Sequence, residues 1–371
     1  MLQYGYNLLK YSPMSVIKLS NQYLSHDVYK QLIDPHHFLV QLDTCFDWHV
    51  LASPLMNLGK NDHGGRPRYP AVLMLKMLFI SFIFNRSDRE TEEEATNHLV
   101  VKYFLKLPID EKAPDHTSLC RFRELVLEKK GISFFTELFR SILSQAQEKG
   151  VHFGVVSALD ATHTIAKVDA QKPQDPKTPY DPDASWGCKG EETKTTVTGQ
   201  RVKIPKYFFG YKAHLLAETT KGIITGLYAT GGKTADIDGG DMLIHRILTN
   251  EERKHIDFLT ADKGYGCPVW INLLEKYTGI TTAFSLPDTM TKKGSHQEKW
   301  KAYVRDEGRT TFRKERTVIE RVNGDIKDNH GLRKCRYLGL AKYHLQLAMA
   351  SMAHNLKIFV NVLSGARLKP I

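Results

Sequence analysis

Gly150-Val151-His152-Phe153-Gly154-Val155-Val156-Ser157-Ala158-Leu159-Asp160-Ala161 is where the hydrophobic period of this chain changes. Before it, apolar residues recur at helical spacing: Phe134, Phe135, Leu138, Phe139, Ile142 and Leu143 share one face of a helix predicted over 133–149. From Val151 to Ala161 the apolar residues run together and read as a buried strand, with a carboxylate, Asp160, near its end. A helical module gives way here to a sheet.

Upstream, residues 65–150 read as all-helical. Gly64-Gly65-Arg66-Pro67-Arg68-Tyr69-Pro70 is a turn with two prolines, and Pro70 suits the first turn of a helix. The run that follows, Val72 to Phe84, has 13 residues and contains Lys76. A membrane span needs about 20, so this is a buried helix. Ser87 and Glu90 have capping-box spacing, and Asp115 is placed to cap the next helix. Before residue 60 the legible signal is a helix start at His36-His37-Phe38 after Pro35.

Downstream, residues 167–206 are rich in Pro, Asp, Lys, Thr and Gly and predict a long loop carrying a flap; Asp169, Asp175, Asp181 and Asp183 read as its solvated turn residues. Tyr207–Ala217 and Ile223–Ala229 form a hairpin with Lys221-Gly222 in the turn. A helix over 239–248, a strand over 256–261, a helix over 269–276, a strand over 280–286 and helices over 315–326 and 338–363 complete the pattern. This predicts an α/β fold, a mixed sheet flanked by helices and preceded by a helical domain. The domains expected are 1–150 and 151–371, the second with its insertion at about 167–206.

The chain has 371 residues and a net charge of +11. Between Lys292 and Arg336 there are 14 Lys/Arg against 7 Asp/Glu, so a +7 excess is concentrated in 45 residues. A basic balance so placed favours a polyanion, with nucleic acid first. Five scattered cysteines without a Cys-x2-Cys pair argue against a zinc knuckle and fit reduced thiols of a cytoplasmic protein. No leader sequence or membrane span is expected.

Three acids suit a metal. Asp160 and Asp262 each close an apolar strand; Glu320 lies in the basic helix. Hard cations take oxygen ligands, and two magnesium ions (manganese as the alternative) stabilise both the attacking and the leaving oxygen of a phosphodiester displacement. Asp160 would bridge them, with Asp262 and Glu320 on either side. Arg316, Asn323 and Lys327 stand at −4, +3 and +7 from Glu320, on one helix face that meets both metal and DNA backbone. The bland reading of the same spacing is a solvated Arg316–Glu320 ion pair worth a few tenths of a kcal/mol. Glu315 and Asp325 compete for the third position but fall off that stripe. Lys212, on a strand beside the site, is a candidate phosphate contact. His163 near Asp160 has two readings, substrate contact or a hydrogen-bonded loop histidine. Asp236, Asp238 and Asp241 read as helix-capping acids. Gly264 and Gly266 after Asp262 allow a tight turn, and Tyr265 between them would stack on a base or fill the core.

These segments resemble a known family. Leu159-Asp160-Ala161-Thr162, Ala261-Asp262-Lys263-Gly264-Tyr265 and Arg316-x3-Glu320-x6-Lys327 are similar to the motifs of DDE transposases of bacterial insertion sequences, the insertion-sequence 5 type in particular. Arg313 stands where that group has a tyrosine. Ser87-Asp88-Arg89-Glu90, Pro114–Arg123, Ser185-Trp186-Gly187 and Tyr207–His214 extend the resemblance over about residues 60–360. It implies a ribonuclease H-like catalytic domain after an N-terminal DNA-binding domain. It also implies cleavage at terminal inverted repeats, joining of the 3′ ends to target DNA, and a homodimer in the DNA complex of a nucleoid-associated bacterial protein. Arg316, Lys327, Asn323, Lys212, Arg313 and Arg321 are the candidate DNA contacts. Two rivals stay open: a metal-dependent nuclease without strand transfer, and a non-enzymatic DNA-binding descendant.

Overall fold

The computed structural model describes residues 27–58, 68–168, 181–195, 199–292 and 297–365. Gly64-Gly65-Arg66-Pro67, Asp169, Asp175 and most of the expected flap's first half lie outside them.

The helical region comprises α1 (Phe38–Cys45), α2 (Ala71–Ile83), α3 (Asp88–Asn97), α4 (His116–Lys130) and α5 (Ser133–Glu148), with shorter helices between. The expected starts hold. Pro70 precedes α2, Ser87 and Glu90 close a reciprocal capping box on α3, and the Asp115 carboxylate accepts from Ser118 N at 2.7 Å to cap α4. The apolar run is buried from Leu73 to Ile83. Lys76 is tolerated inside it because its ammonium donates to the Phe104 carbonyl at 2.9 Å and to Asp43.

Six strands follow: β1 (Val156–Ile165), β2 (Ser185–Thr195), β3 (Arg201–Glu218), β4 (Ile224–Gly231), β5 (Phe258–Ala261) and β6 (Thr281–Thr282). The central order is β4-β3-β1-β5-β6. β1 runs antiparallel to β3 and parallel to β5, and β5 runs parallel to β6. This mixed sheet with helices on both faces is the ribonuclease H-like arrangement expected. β3 is long enough to serve two partners. Residues 210–218 pair with β1 and β4 in the sheet, while 201–210 pair with β2 in an arm beyond it. The turn into β4 is closed by Gly222, whose φ of +79° a side chain would resist.

Several boundaries differ from the sequence reading. Residues 185–195 and 201–206 are paired strands rather than loop, because cross-strand hydrogen bonding satisfies a largely polar arm whose few apolar residues, such as Val202 and Ile204, stay exposed. The first strand starts at Val156, not Val151. The helix expected over 239–248 starts at Asp236 as α6 (Asp236–Met242) and relaxes into a π-turn over Leu243–Ile247. The strand expected over 280–286 is a two-residue ladder, although Ala283 N and Ser285 N still bond the carbonyls of Leu259 and Ala261. The expected 315–326 helix is present as one helix, α9 (Thr317–Asp328), with Arg316 as its N-cap residue; α7 (Pro268–Thr278) and α8 (Glu307–Lys314) come before it in the chain.

α10 (Leu340–Ser364) is the spine. It is buried along most of its length and contacts α1, α2, α5, α9, β3 and β4. One apolar cluster joins Phe79, Phe104 and Phe135 of the helical region to Ala158, Leu215, Ile319 and Met349, so the core crosses Gly150 without a break. A second cluster covers the opposite sheet face with Leu159, Leu216, Leu259, Tyr265 and Trp270. Among the described residues no helix is long and apolar enough to cross a membrane.

Candidate functional site where β1 and β5 part

Leu159 pairs with Ala261 on the last rung of the parallel β1–β5 ladder, so Asp160 and Asp262 are the next residues where the two strands part. Asp262 lies just past the end of β5, whereas Asp160 does not close its strand as expected but sits inside β1, which runs on to Ile165 against β3. Both continue the row that contains Ala158 and Thr260, which puts them on one face of the sheet. Asp262 leaves the strand into a short 3-10 turn, Lys263–Tyr265, and caps it by accepting from Gly264 N at 2.8 Å.

α9 lies across Asp160. Its apolar stripe, Val318, Ile319, Val322 and Ile326, packs into the main core and turns Asn323 inward. Asn323 Nδ2 donates to Asp160 Oδ2 at 2.8 Å. Burial pushes the Asp160 carboxyl up to about 6, and the charges of Asp262 and Asp236 push the same way. The Ala161 backbone N–H and the Arg316 guanidinium oppose them.

Glu320 shares the α9 face with Asn323 but is turned outward. Its side chain is 55% exposed and pairs with Arg316 at 2.7 Å. The ion pair foreseen as the bland reading is therefore present. Arg316 is also felt by Asp160, so one guanidinium serves acids on both the helix and the strand.

The other candidates are placed unequally. Lys327 is half-buried, and burial with the nearby charges of Lys189 and Arg333 lowers it to about 8, against the pull of Asp160 and Asp328. Lys212 lies opposite His163 across β1–β3, but its ammonium is taken up by the Thr234 carbonyl at 2.8 Å and Asp236 at 2.7 Å. It holds Asp236 in place rather than standing free for a phosphate. Arg321 is exposed beside the stripe. Arg313, on the last turn of α8, buries Nε and Nη2 without a hydrogen-bond partner. His163 packs on Phe208 at 4.9 Å; burial and the charges of Lys327, Lys189, Lys212 and Lys206 hold it down to about 4, a neutral imidazole in a basic neighbourhood.

Three participants were not picked out from the sequence. Asp236 read as a capping acid, yet it acts on Asp160, because α6 presses close to the sheet through two glycines. A Cβ on Gly239 would stand 2.0 Å from the His214 ring, and one on Gly240 would stand 2.8 Å from Tyr265 and 2.9 Å from Leu159. Asp241, lower on the same helix, bonds His245 and Trp270 instead. Lys189 and Lys206 arrive on the β2–β3 arm, and the one available signal was the lysine content of that segment.

The donor set fits hard cations. Carboxylate oxygens suit magnesium. Two buried polar atoms beside the acids have no hydrogen-bond partner: Asn323 Oδ1, on the amide that holds Asp160, and the Tyr265 hydroxyl, which senses Asp160, Asp236 and Asp262. Tyr265 thus fills the core with its ring, and its polar end is left toward the acids. Buried groups without partners are rare in folded proteins and mark places where an ion or water belongs.

Two family models match the chain. One, described as a transposase domain (DUF772), covers residues 27–125; the other, a transposase DDE domain, covers residues 155–356.

Proposed function

Because the chain belongs to the transposase DDE domain family, a group of metal-dependent DNA phosphoryl transferases acting in transposition, we propose that Asp160, Asp262 and Glu320 are its catalytic acids. The observation that carries this reading is the placement of Asp160 and Asp262 directly after the last paired rung of β1 and β5, near enough for the Asp262 charge to act on Asp160, with two partnerless buried polar atoms beside them. The acids would hold two magnesium ions, which when bound would supply an activated water and stabilise the leaving oxyanion. Asn323 orients Asp160 through the bond it already makes. Arg316, which pairs with Glu320 and is felt by Asp160, would neutralise the scissile phosphate beside them. Lys327, with Lys189 and Lys206 on the arm, tracks the DNA backbone; His163 stays uncharged among them and stacks rather than donating charge. Arg313 and Arg321 extend the basic surface of the same segment.

In this reading the helical region, residues 1–150, binds the inverted repeats at the element ends. The 151–371 region cleaves there, and the freed 3′-hydroxyl attacks target DNA within a homodimer. Asp160→Ala should abolish magnesium-dependent nicking of DNA taken from the flanks of the gene while leaving retention of that DNA in a mobility-shift assay unchanged. Full cleavage by this variant would remove Asp160 from the site. Supplying pre-cut ends tests the joining step: strand-transfer product is expected, and cleavage without it would leave a nuclease.

A further inference from the structure

Among the described residues, one trio of imidazole and carboxylate donors lies within 4.8 Å of one another, away from the strand ends: Asp325, His330 and His354. Asp325 is on α9, His330 follows that helix, and His354 is on α10. His330 is fully buried, and the side chains of His354 and Asp325 are 10% and 29% exposed.

The direction of the hydrogen bonds is the informative point. His330 Nδ1 faces the carbonyl of Phe82 on α2 at 2.9 Å, and His354 Nε2 faces the carbonyl of Gly222 in the β3–β4 turn at 3.0 Å. Carbonyls only accept, so each ring places its N–H there. The opposite nitrogens, His330 Nε2 and His354 Nδ1, both point at Asp325 Oδ2, at 3.4 and 2.6 Å. Neutral rings would then turn two lone pairs onto a carboxylate oxygen. His330 Nε2 is buried with no hydrogen-bond partner. The arrangement demands positive charge at the centre, supplied either by a further proton on each ring or by one divalent ion.

We propose that Asp325, His330 and His354 form a divalent-metal site of the zinc class, distinct from the catalytic acids. Imidazole nitrogens select zinc, cobalt or nickel over magnesium. A metal-bound histidine characteristically donates its other N–H to a backbone carbonyl or carboxylate, and both rings here already do so. Asn329 Nδ2 steadies the remaining Asp325 oxygen at 2.6 Å, and the exposed side of Asp325 leaves room for water as a fourth ligand. Lys357 is the opposing charge, felt by both Asp325 and His330, and it weakens the site without occupying it. The bound ion fastens α9, and with it Asn323 and Glu320, to α10, while the second nitrogens reach α2 and the β3–β4 turn.

The full-length chain carrying Asp160→Asn and Asp262→Asn removes the strand-end acids, so ions held there do not confuse the count. That protein should retain one zinc per chain after gel filtration, lose it to a chelator with a fall in Tm of several degrees, and take up one equivalent of Co2+ with the intense visible bands of a tetrahedral nitrogen/oxygen site. Adding His330→Gln or Asp325→Asn should abolish the bands at unchanged far-UV circular dichroism. If neither triple variant folds, the cobalt titration of the double variant decides alone. A double variant that retains no zinc and gives no visible bands with Co2+ overturns the proposal and leaves a cluster held by protons. Bands that persist in a folded His330→Gln protein overturn it equally. Because the measurement is of metal content in a protein without its strand-end acids, its failure says nothing against the transposase reading.

Discussion

At the scale of single residues, Asn323 is the most testable part of the strand-end site. It touches Asp160 directly and is held inward by its apolar neighbours Val322 and Ile326. Removing a group that orients a metal ligand typically costs 10–100-fold in metal affinity or activity. Asn323→Ala should therefore lower magnesium-dependent cleavage by about that factor, with Asn323→Asp restoring part of it at higher magnesium; a variant indistinguishable from wild type in a metal titration would show that the bond to Asp160 is incidental. That Asp160 and Asp262 each follow an apolar strand stretch, and that Arg316, Glu320, Asn323 and Lys327 share one stripe, was legible in the sequence because those relations are local. The contribution of Asp236 was not. Its carboxylate reaches the site only because Lys212, 24 residues away, bonds it and because Gly239 and Gly240 let α6 approach.

At the scale of elements, the glycine pair of α6 and the lysines of the β2–β3 arm make separate predictions. A methyl group at Gly239 would stand 2.0–2.3 Å from the atoms of a buried imidazole, so α6 or β3 must shift. Gly239→Ala should destabilise the protein by about 1–3 kcal/mol in urea unfolding, the usual cost of overpacking. Gly324→Ala on α9 meets nothing within 4 Å and should instead stabilise by up to about 1 kcal/mol. Equal effects at the two positions would mean that helix propensity, not close approach, governs Gly239. On the arm, Lys189 and Lys206 sit where His163 senses both. If each neutralises a phosphate, replacing either with Ala should weaken DNA binding uniformly across sequences and reduce the slope of log K against log salt by about 1. An unchanged slope would take the arm off the DNA. This element was the least legible part of the fold. Its β2 strand is mostly Gly, Lys, Glu and Thr, and the short Arg201-Val202-Lys203-Ile204 alternation of β3 is too brief, and too close to Pro205, to stand out from a loop. The β6 region erred in the opposite direction, since Ile280 to Leu286 is apolar enough for a strand but is needed in the second core beyond its two-residue ladder.

At the scale of the whole molecule, α10 determines how the parts respond together. Its length and apolar face were plain in the sequence; its role as the shared wall of the helical region and the sheet was not, because only tertiary contacts reveal which face meets which layer. The burial that makes it a spine also traps titratable groups. His344, near Thr136 of α5, is held down to about 4 by desolvation alone, and His214 on β3 is held to about 4 chiefly by the same cause. The unfolded chain protonates such histidines near 6.5, whereas the native chain resists until about 4. Below 6.5 the unfolded state thus binds more protons, and stability falls with pH until the native pKa is reached. For His344 the accumulated loss is about 3 kcal/mol, with a slope approaching 1.4 kcal/mol per pH unit near pH 5. Urea unfolding between pH 7 and pH 5 should show a steady decline, and His344→Gln should make that decline shallower by about one proton's worth. A variant with an unaltered pH slope would mean that His344 titrates in the native state, and that the wall between α5 and α10 admits water where the fold places it out of reach.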